Sequence, residues 1–236
     1  RLAIENQPVS QWREQALKEE DPAASITALL ALARQGDAAL QGRLFESLGR
    51  LQRDSLTENQ TLEALRVLSL AMIRMGRPPD QTMRDMSERL SGVFPTESDL
   101  INRELARILV YLQAPGIVGK TLKLMTESPS QQEQIHYAMI LRNLKVDWTM
   151  DQRRTYFSWF VQAQKYKGGA SFKGFIQNFK KDAVALLSDS EKAALEKVLS
   201  GQAAVDVALA YDMSRKFVKN YSTDELVTEL EKGLAG

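Results

Sequence analysis

The stretch QAPGIVGKTLK, residues 113–123, holds the residue types of a phosphate-binding loop. Ala114, four intervening residues and then Gly119-Lys120-Thr121 fit the relaxed form of that motif, in which Ala replaces the first Gly. An apolar run, Ile108-Leu109-Val110-Tyr111-Leu112, stands just upstream, where such a loop needs a strand. A phosphate loop works because backbone N–H groups between a parallel strand and a helix cradle the phosphates, while the Lys reaches them from the side. The match therefore depends on what the neighbouring segments form.

Three other places carry residue types with possible chemistry. Nine of the 17 aromatic residues fall between Trp148 and Phe179, and the window 142–181 holds nine Lys or Arg against two Asp. Aromatic rings interleaved with bases such as Arg153 and Arg154 make either a nucleic-acid groove, by stacking and phosphate contact, or a pair of helices whose rings fill the core. Tyr156, Phe157 and Phe160 recur at helical steps, which favours packing, with the basic face left for a partner protein. Gly168-Gly169, followed by Ser171 and Phe172, breaks two long helices; the pair either admits a close approach or turns a tight corner, and the corner is the simpler role. The single histidine, His136, lies on a helical stretch and is expected to be a partly buried, hydrogen-bonded side chain. Neither a nucleophile–base pair nor a carboxylate dyad nor a metal-ligand spacing stands out, so no catalytic, cofactor-binding or metal residue is assigned.

The elements that must position these residues read as helices throughout. Asp21-Pro22 caps and opens one helix, with Gly36 expected to end it in the left-handed conformation. Asp37, Thr57 with Gln60, Asp80, Thr96 with Asp99, Pro115, Ser130 with Glu133, and Thr149 with Gln152 mark further starts. Ser171, Ser188 with Glu191, and Ser222 with Glu225 complete the series. Between them apolar residues recur at three and four, as in Leu62, Leu65, Leu68 and Met72, and period-two strands are missing. Starts lie about 15–23 residues apart, so two helices take about 38, inside the two-helix repeat lengths of roughly 34–47. The expected fold is all-α, an α-solenoid of stacked antiparallel pairs of the HEAT or armadillo kind, over residues 1–200. A C-terminal helical extension follows at 201–236. In this setting the run before Ala114 continues a helix, and Pro115 opens the next one after a short turn. The phosphate-loop match is then a coincidence of turn residues.

Composition narrows the function classes. A formal charge of +1 gives no global attraction to nucleic acid or an anionic membrane. With no cysteine, disulfides, thiolate zinc sites and covalent c-type haem within this chain are excluded. No apolar run approaches the roughly 18–20 residues of a membrane span. A first residue of Arg1 and no signal-like opening lead us to expect a fragment or a processed product.

Four strings carry a resemblance: FPTESDLINRELARILVYLQAP from 94, EQIHYAMILR from 133, WTMDQRRTYFSWF from 148 and YKGGASFKGF from 166. They resemble the helical repeat region of large haem-containing proteins from Planctomycetes and Verrucomicrobia. In those proteins a sorbosone-dehydrogenase-like β-propeller precedes HEAT-like repeats, and a c-type cytochrome domain with C-x-x-C-H follows. FVKNYSTDELVTELEKGLAG, from 217, looks like the lead into that haem domain. The resemblance is greatest over 94–200 and least before about residue 40. It implies a helical fold, an extracytoplasmic (periplasmic) setting and a place beside a redox domain. Haem c is then expected in an adjacent domain, with the cytochrome and propeller domains of the same parent chain as partners.

Within the matching strings, Asn102, Arg103, Glu104, His136, Tyr137, Trp148, Gly168, Gly169, Ser171 and Phe172 are expected to shape the repeats or a docking face, with Arg153 and Arg154 beside them. The expected function is a non-catalytic scaffold that positions redox domains. The rival is a nucleic-acid-binding repeat protein using 142–181. An enzyme with a pocket on a concave face has no specific residue in its favour.

Overall fold

A computed structural model of the chain describes residues 2–51 and 55–201. The expected start at Ser222 with Glu225, and all of the C-terminal extension but Gly201, lie outside the described residues. Among the described residues every regular element is helical, with thirteen α-helices and one 3-10 turn. In order these are α1 (Leu2–Glu5), α2 (Val9–Lys18), α3 (Pro22–Gln35), the 3-10 turn Ala38–Leu40, α4 (Gln41–Arg50), α5 (Glu58–Arg74) and α6 (Asp80–Ser91). There follow α7 (Asp99–Tyr111), α8 (Ile117–Glu127), α9 (Gln131–Leu141), α10 (Met150–Ala163), α11 (Phe172–Ala185), α12 (Asp189–Ala194) and α13 (Glu196–Leu199).

Local chemistry accounts for most starts. Asp21 accepts from the Ala24 N–H ahead of Pro22, and Asp37 accepts from Ala39. Thr57–Gln60, Thr149–Gln152 and Ser188–Glu191 form complete capping boxes, in which side chain and backbone bond reciprocally. Other expectations shift. Gly36 sits in extended backbone at φ −75°, not the left-handed region. It is needed for space, because a Cβ there would lie 2.7 Å from the Leu32 carbonyl oxygen and 3.0 Å from Met75 Cε.

The cap of α7 is Ser98, not Thr96, whose backbone and hydroxyl are instead taken by Asn102. Helix α6 begins at Asp80, but Pro79 precedes it and no side chain caps that end. Helix α8 begins two residues after Pro115, once Gly116 has turned the chain at φ +70°. Ser171 precedes α11 without a side-chain cap bond.

Helices two places apart in sequence pack side by side: α3 on α5, α5 on α7, and α7 on α9. These neighbours run parallel. Ser98 at the start of α7 donates to Glu58 at the start of α5, and Arg77, just past α5, shares a groove with Leu112 at the end of α7. Likewise Arg103 meets Glu133 near the starts of α7 and α9, and Gln113 meets Asn143 past their ends. The intervening helices pack as a second set, α2 on α4 and α8 on α10.

Apolar burial follows this arrangement. Trp12, Leu17, Leu29, Leu32, Leu44, Val67, Ala71 and Met75 form an N-terminal cluster. Leu65 and Met72, on the other side of α5, join the larger cluster that runs through α7–α11 to Val198. Helix α5 thus belongs to both.

The aromatic concentration lies inside that larger cluster. Tyr156, Phe157, Trp159, Phe160 and Phe179 are all buried, with Phe160 set 5.0 Å from Phe179 and edge-on to Tyr156 at 5.3 Å between centroids. Trp159, 3% exposed, also donates its indole N–H to Gln134 at 2.9 Å. Trp159→Ala is expected to cost ~3–5 kcal/mol through the cavity it leaves. Trp159→Phe is expected to cost less, about 1–3 kcal/mol, through the smaller ring and one lost bond to the Gln134 oxygen, which keeps the Tyr166 hydroxyl. Urea unfolding of both variants checks the order, and an unchanged midpoint for the alanine variant would contradict the burial.

Candidate docking face

The phosphate-loop match resolves into two helix ends. Ile108 to Tyr111 are the last residues of α7 and end in a Schellman turn: Gln113 N–H bonds the Val110 carbonyl and Ala114 N–H bonds that of Leu109. Gln113 takes the left-handed position at φ +53°, which a Gly usually fills. Lys120, the residue that would reach a phosphate, is engaged. Its Nζ donates to the carbonyls of Ser91 at 2.9 Å and Phe94 at 2.7 Å, which lie at the end of α6 and just beyond it. Thr121 is buried on α8. The N–H groups of Gln113, Ala114 and Ile117 bond backbone carbonyls, that of Gly116 meets the Asp147 carboxylate at 3.4 Å, and a helix stands where the motif needs a strand, so these residues make no phosphate cradle.

The residues singled out by sequence come together in one place and scatter elsewhere. Asn102, Arg103 and Glu104 on α7 adjoin His136 and Tyr137 on α9. Buried Asn102 accepts from Thr96 N–H at 2.7 Å and donates to its carbonyl at 2.8 Å, fixing the turn before α7. Glu104 pairs with Arg107 at 3.2 Å, and Arg103 with Glu133 at 3.3 Å. His136, 7% exposed, lies with Nε2 3.2 Å from the Arg103 carbonyl oxygen. A carbonyl oxygen only accepts, so the neutral ring carries its proton on Nε2. The His136 ring meets Tyr137 edge-on at 5.4 Å.

His, Glu and Tyr are the residue types of acid–base chemistry, but their environments hold them still. Burial, with help from the charges of Arg103 and Arg107, pushes His136 down to about 4, against the opposing bond to Arg103. Burial pushes the Tyr137 hydroxyl up, aided by Glu133 and Asp99. Glu133 is also raised, chiefly by burial, then lowered in part by Arg103. At neutral pH the ring is therefore uncharged and the phenol protonated, and the cluster acts as a joint between α7 and α9. Among the described residues no group of three or more His, Asp or Glu gathers as metal ligands do.

The other candidates sit apart. Half-buried Trp148 donates to the Leu144 carbonyl at 2.9 Å and lies under the Arg153 guanidinium, 5.2 Å from the ring centroid. Arg153 is only 8% exposed and pairs with Glu191 at 2.7 Å, fastening α10 to α12. Backbone bonding from Ser188, first, and then the Arg153 charge hold the Glu191 carboxyl below its ordinary range. Arg154 is exposed and pairs with Asp151. Hence Arg153 is not on an open basic track, and Lys180 also turns inward to the Leu199 carbonyl at 2.9 Å. Lys165, Lys167, Lys173 and Lys181 do line the solvent side.

At the glycine pair the corner reading needs amendment. A Cβ on Gly168 would fall 2.3 Å from Phe172 Cγ, so Gly168 exists for the half-buried Phe172 ring, whereas Gly169 faces open space. Close approach is the role of the first glycine.

Sequence reading missed the residues that join helices across the fold. Buried Gln134 donates to Ser128 O at 2.7 Å while its oxygen accepts from Trp159 and from the Tyr166 hydroxyl. Its signal was available: Gln134 shares a helical stripe with Tyr137, Ala138 and Leu141, all buried. Gln113 was passed over as a turn residue, yet it donates to Asn143 O at 3.1 Å and accepts from Lys145 N–H at 2.9 Å. Comparison with family models, curated proteins and solved structures gives no match to this chain.

Two outcomes test these assignments. Lys120→Met keeps the stem and removes the ammonium; it is expected to lower stability by about 1 kcal/mol, while millimolar ATP shifts the melting temperature of neither protein. A rise of several degrees with ATP would restore the phosphate-loop reading. For His136, the unfolded chain takes up a proton below about 6.5 and the folded one only near 4. Its contribution is thus complete above pH 6.5 and is lost as pH falls toward 4. Urea midpoints between pH 7 and 4.5 should fall less steeply for His136→Gln than for the parent, and equal slopes would contradict the shift.

Proposed function

We propose that this chain is a non-catalytic helical scaffold, an α-solenoid of stacked antiparallel pairs. Its role is to hold a neighbouring c-type cytochrome domain, with a dehydrogenase-like propeller, in an extracytoplasmic redox protein. The observation that supports the scaffold reading is the side-by-side packing of α5, α7 and α9, with Gln113 bridging the end turns of α7 and α9. Such a stack makes each helix pair a rigid step, and a row of steps sets a distance between whatever is joined to its ends. The pairs Arg103–Glu133, Arg153–Glu191 and Gln134–Trp159 each join one helix to another.

The redox half of the proposal rests on the four strings and on the closing segment, which resemble the repeat region of haem proteins. This chain's own residues do not fit haem c, since thioether attachment needs cysteines and it has none. The haem belongs to a following domain, and no step of electron transfer is assigned to any residue here. The nucleic-acid reading is the weaker one, because five of the nine rings in its window are core residues and Arg153 is paired, although Phe175 is exposed.

The test is to express the chain as its gene encodes it beyond Gly236, in a compartment that matures a control cytochrome c. A C-x-x-C-H shortly past Gly236 and a Soret band are expected, with residues 1–236 alone colourless. A stop codon at that point, or an extended protein without haem, would remove the redox half and leave the scaffold.

A further inference from the structure

The second set of helices has a weak place at α6. Helix α2 packs on α4 and α8 on α10, whereas α6, between α4 and α8 in the chain, packs chiefly on α7. Its touch on α4 is slight: the Arg89 guanidinium lies over Gly49, where a Cβ would be 3.4 Å from Nη1. Toward the turn between α7 and α8, an open groove lined by Met83, Ser87, Leu112 and Pro115 runs beside it.

Burial follows the same pattern. Between Pro78 and Phe94, both buried, Ser87 is the only buried residue. The neighbouring helices α5, α7 and α8 bury five, six and five. Half-buried Met83, Met86, Leu90 and Val93 rest on the larger cluster and supply the apolar hold. A helix of 12 residues is marginal in water without such packing.

Polar fastening is as sparse. The Gln81–Asp85 and Arg84–Gln81 bonds stay within α6, and Asp80 pairs with Arg77 just before it. No side chain caps its start, and among the described residues no ion pair joins it to another helix. The Ser91 hydroxyl oxygen is shut off from water without a partner, which disfavours the docked helix. The side chain that does hold α6 from another helix is Lys120 on α8, through the Ser91 and Phe94 carbonyls.

We propose that α6 is a strap. Residues 79–93 undock as one unit while α5 and α7 stay folded, pivoting between Pro78 and Phe94, with Lys120 as the latch. Released, the strap bares Met83, Met86 and Leu90 together with the part of the larger cluster they cover, and opens the second set between α4 and α8. In a stack held by neighbour contacts, the least anchored step opens first. The scaffold therefore has one yielding step in a row of rigid ones. The opening belongs to these helices and requires no haem domain, so this experiment and the Soret experiment fail independently.

The chain has no cysteine, so one introduced thiol reports opening without background. Ser87→Cys on α6 and Ser158→Cys on α10 put near-isosteric thiols at positions 7% and 4% exposed. Their reaction with a water-soluble aromatic disulfide is followed in the full chain across low urea concentrations. The α6 thiol is expected to react at least ~100-fold faster, with a shallower urea dependence, because undocking exposes only part of the surface that unfolding does. Lys120→Met should speed that reaction by a further ~5-fold. Equal rates with equal urea dependence would overturn the strap, since both thiols would then wait for global unfolding. A rate that Lys120→Met leaves unchanged would overturn it too, since the thiol would be reacting in the docked helix. Should a cysteine variant fail to fold, hydrogen exchange of the unsubstituted chain decides. Amides of 84–93 exchanging ~100-fold faster than the interiors of α5 and α7 support the strap, and equal protection overturns it.

Discussion

Parallel helices stacked side by side end in a row of carbonyl groups, and each of these that is shut off from water needs a donor. In this protein the donors are side chains reaching from elsewhere in the stack. Ser47 on α4 serves the Leu17 carbonyl in the last turn of α2 at 2.9 Å, and Gln41 serves Ala71 and Gly76 around the end of α5. Lys120 on α8 closes α6, Gln113 reaches the turn after α9, and Lys180 closes α13. The helix ends and the packing of one helix on the next are thus the same interactions. Losing such a donor exposes a carbonyl and loosens a contact together, which ties local helix stability to the stack.

That division explains what could be read from the chain. Starts such as Thr57 with Gln60 were legible because an N-cap is satisfied three residues away, inside one short string. Gly36 and Gly76 also marked where α3 and α5 stop, but the bonds that close the ends were not legible, because their partners lie 19 to 35 residues off. Nothing in the local sequence of Ser91 or Phe94 points to Lys120, and nothing around Gly36 points to Met75. Misplaced starts have a similar cause. Thr96 and Ser98 both fit a cap, and the choice was made by Asn102, which occupies Thr96 and leaves Ser98 to accept from Ile101. The all-helical class needed only periodicity, and periodicity is carried by the apolar residues themselves.

At the candidate sites composition left a groove and a packed core both open, and the helical spacing of the rings favoured packing. A window rich in bases and rings has the chemistry of a groove, but Arg153 and Lys180 point inward while five lysines face solvent. Sequence counts charges and cannot orient them. Conversely, the expectation of a buried, hydrogen-bonded His136 needed only an apolar helical context, which its neighbours supplied.

Gln134 has a consequence for how this protein can vary. One amide serves a turn carbonyl at Ser128, an indole at Trp159 and a phenol at Tyr166, so three segments share a single polar centre. Replacing Gln134 by an apolar residue strands one buried donor, one half-buried donor and one acceptor at once, whereas replacing Trp159 or Tyr166 strands only part of the amide. The least costly route to a fully apolar joint therefore removes the aromatic partners first and the glutamine last. Among descendants of this chain, the three positions form one heritable unit with a preferred order of change.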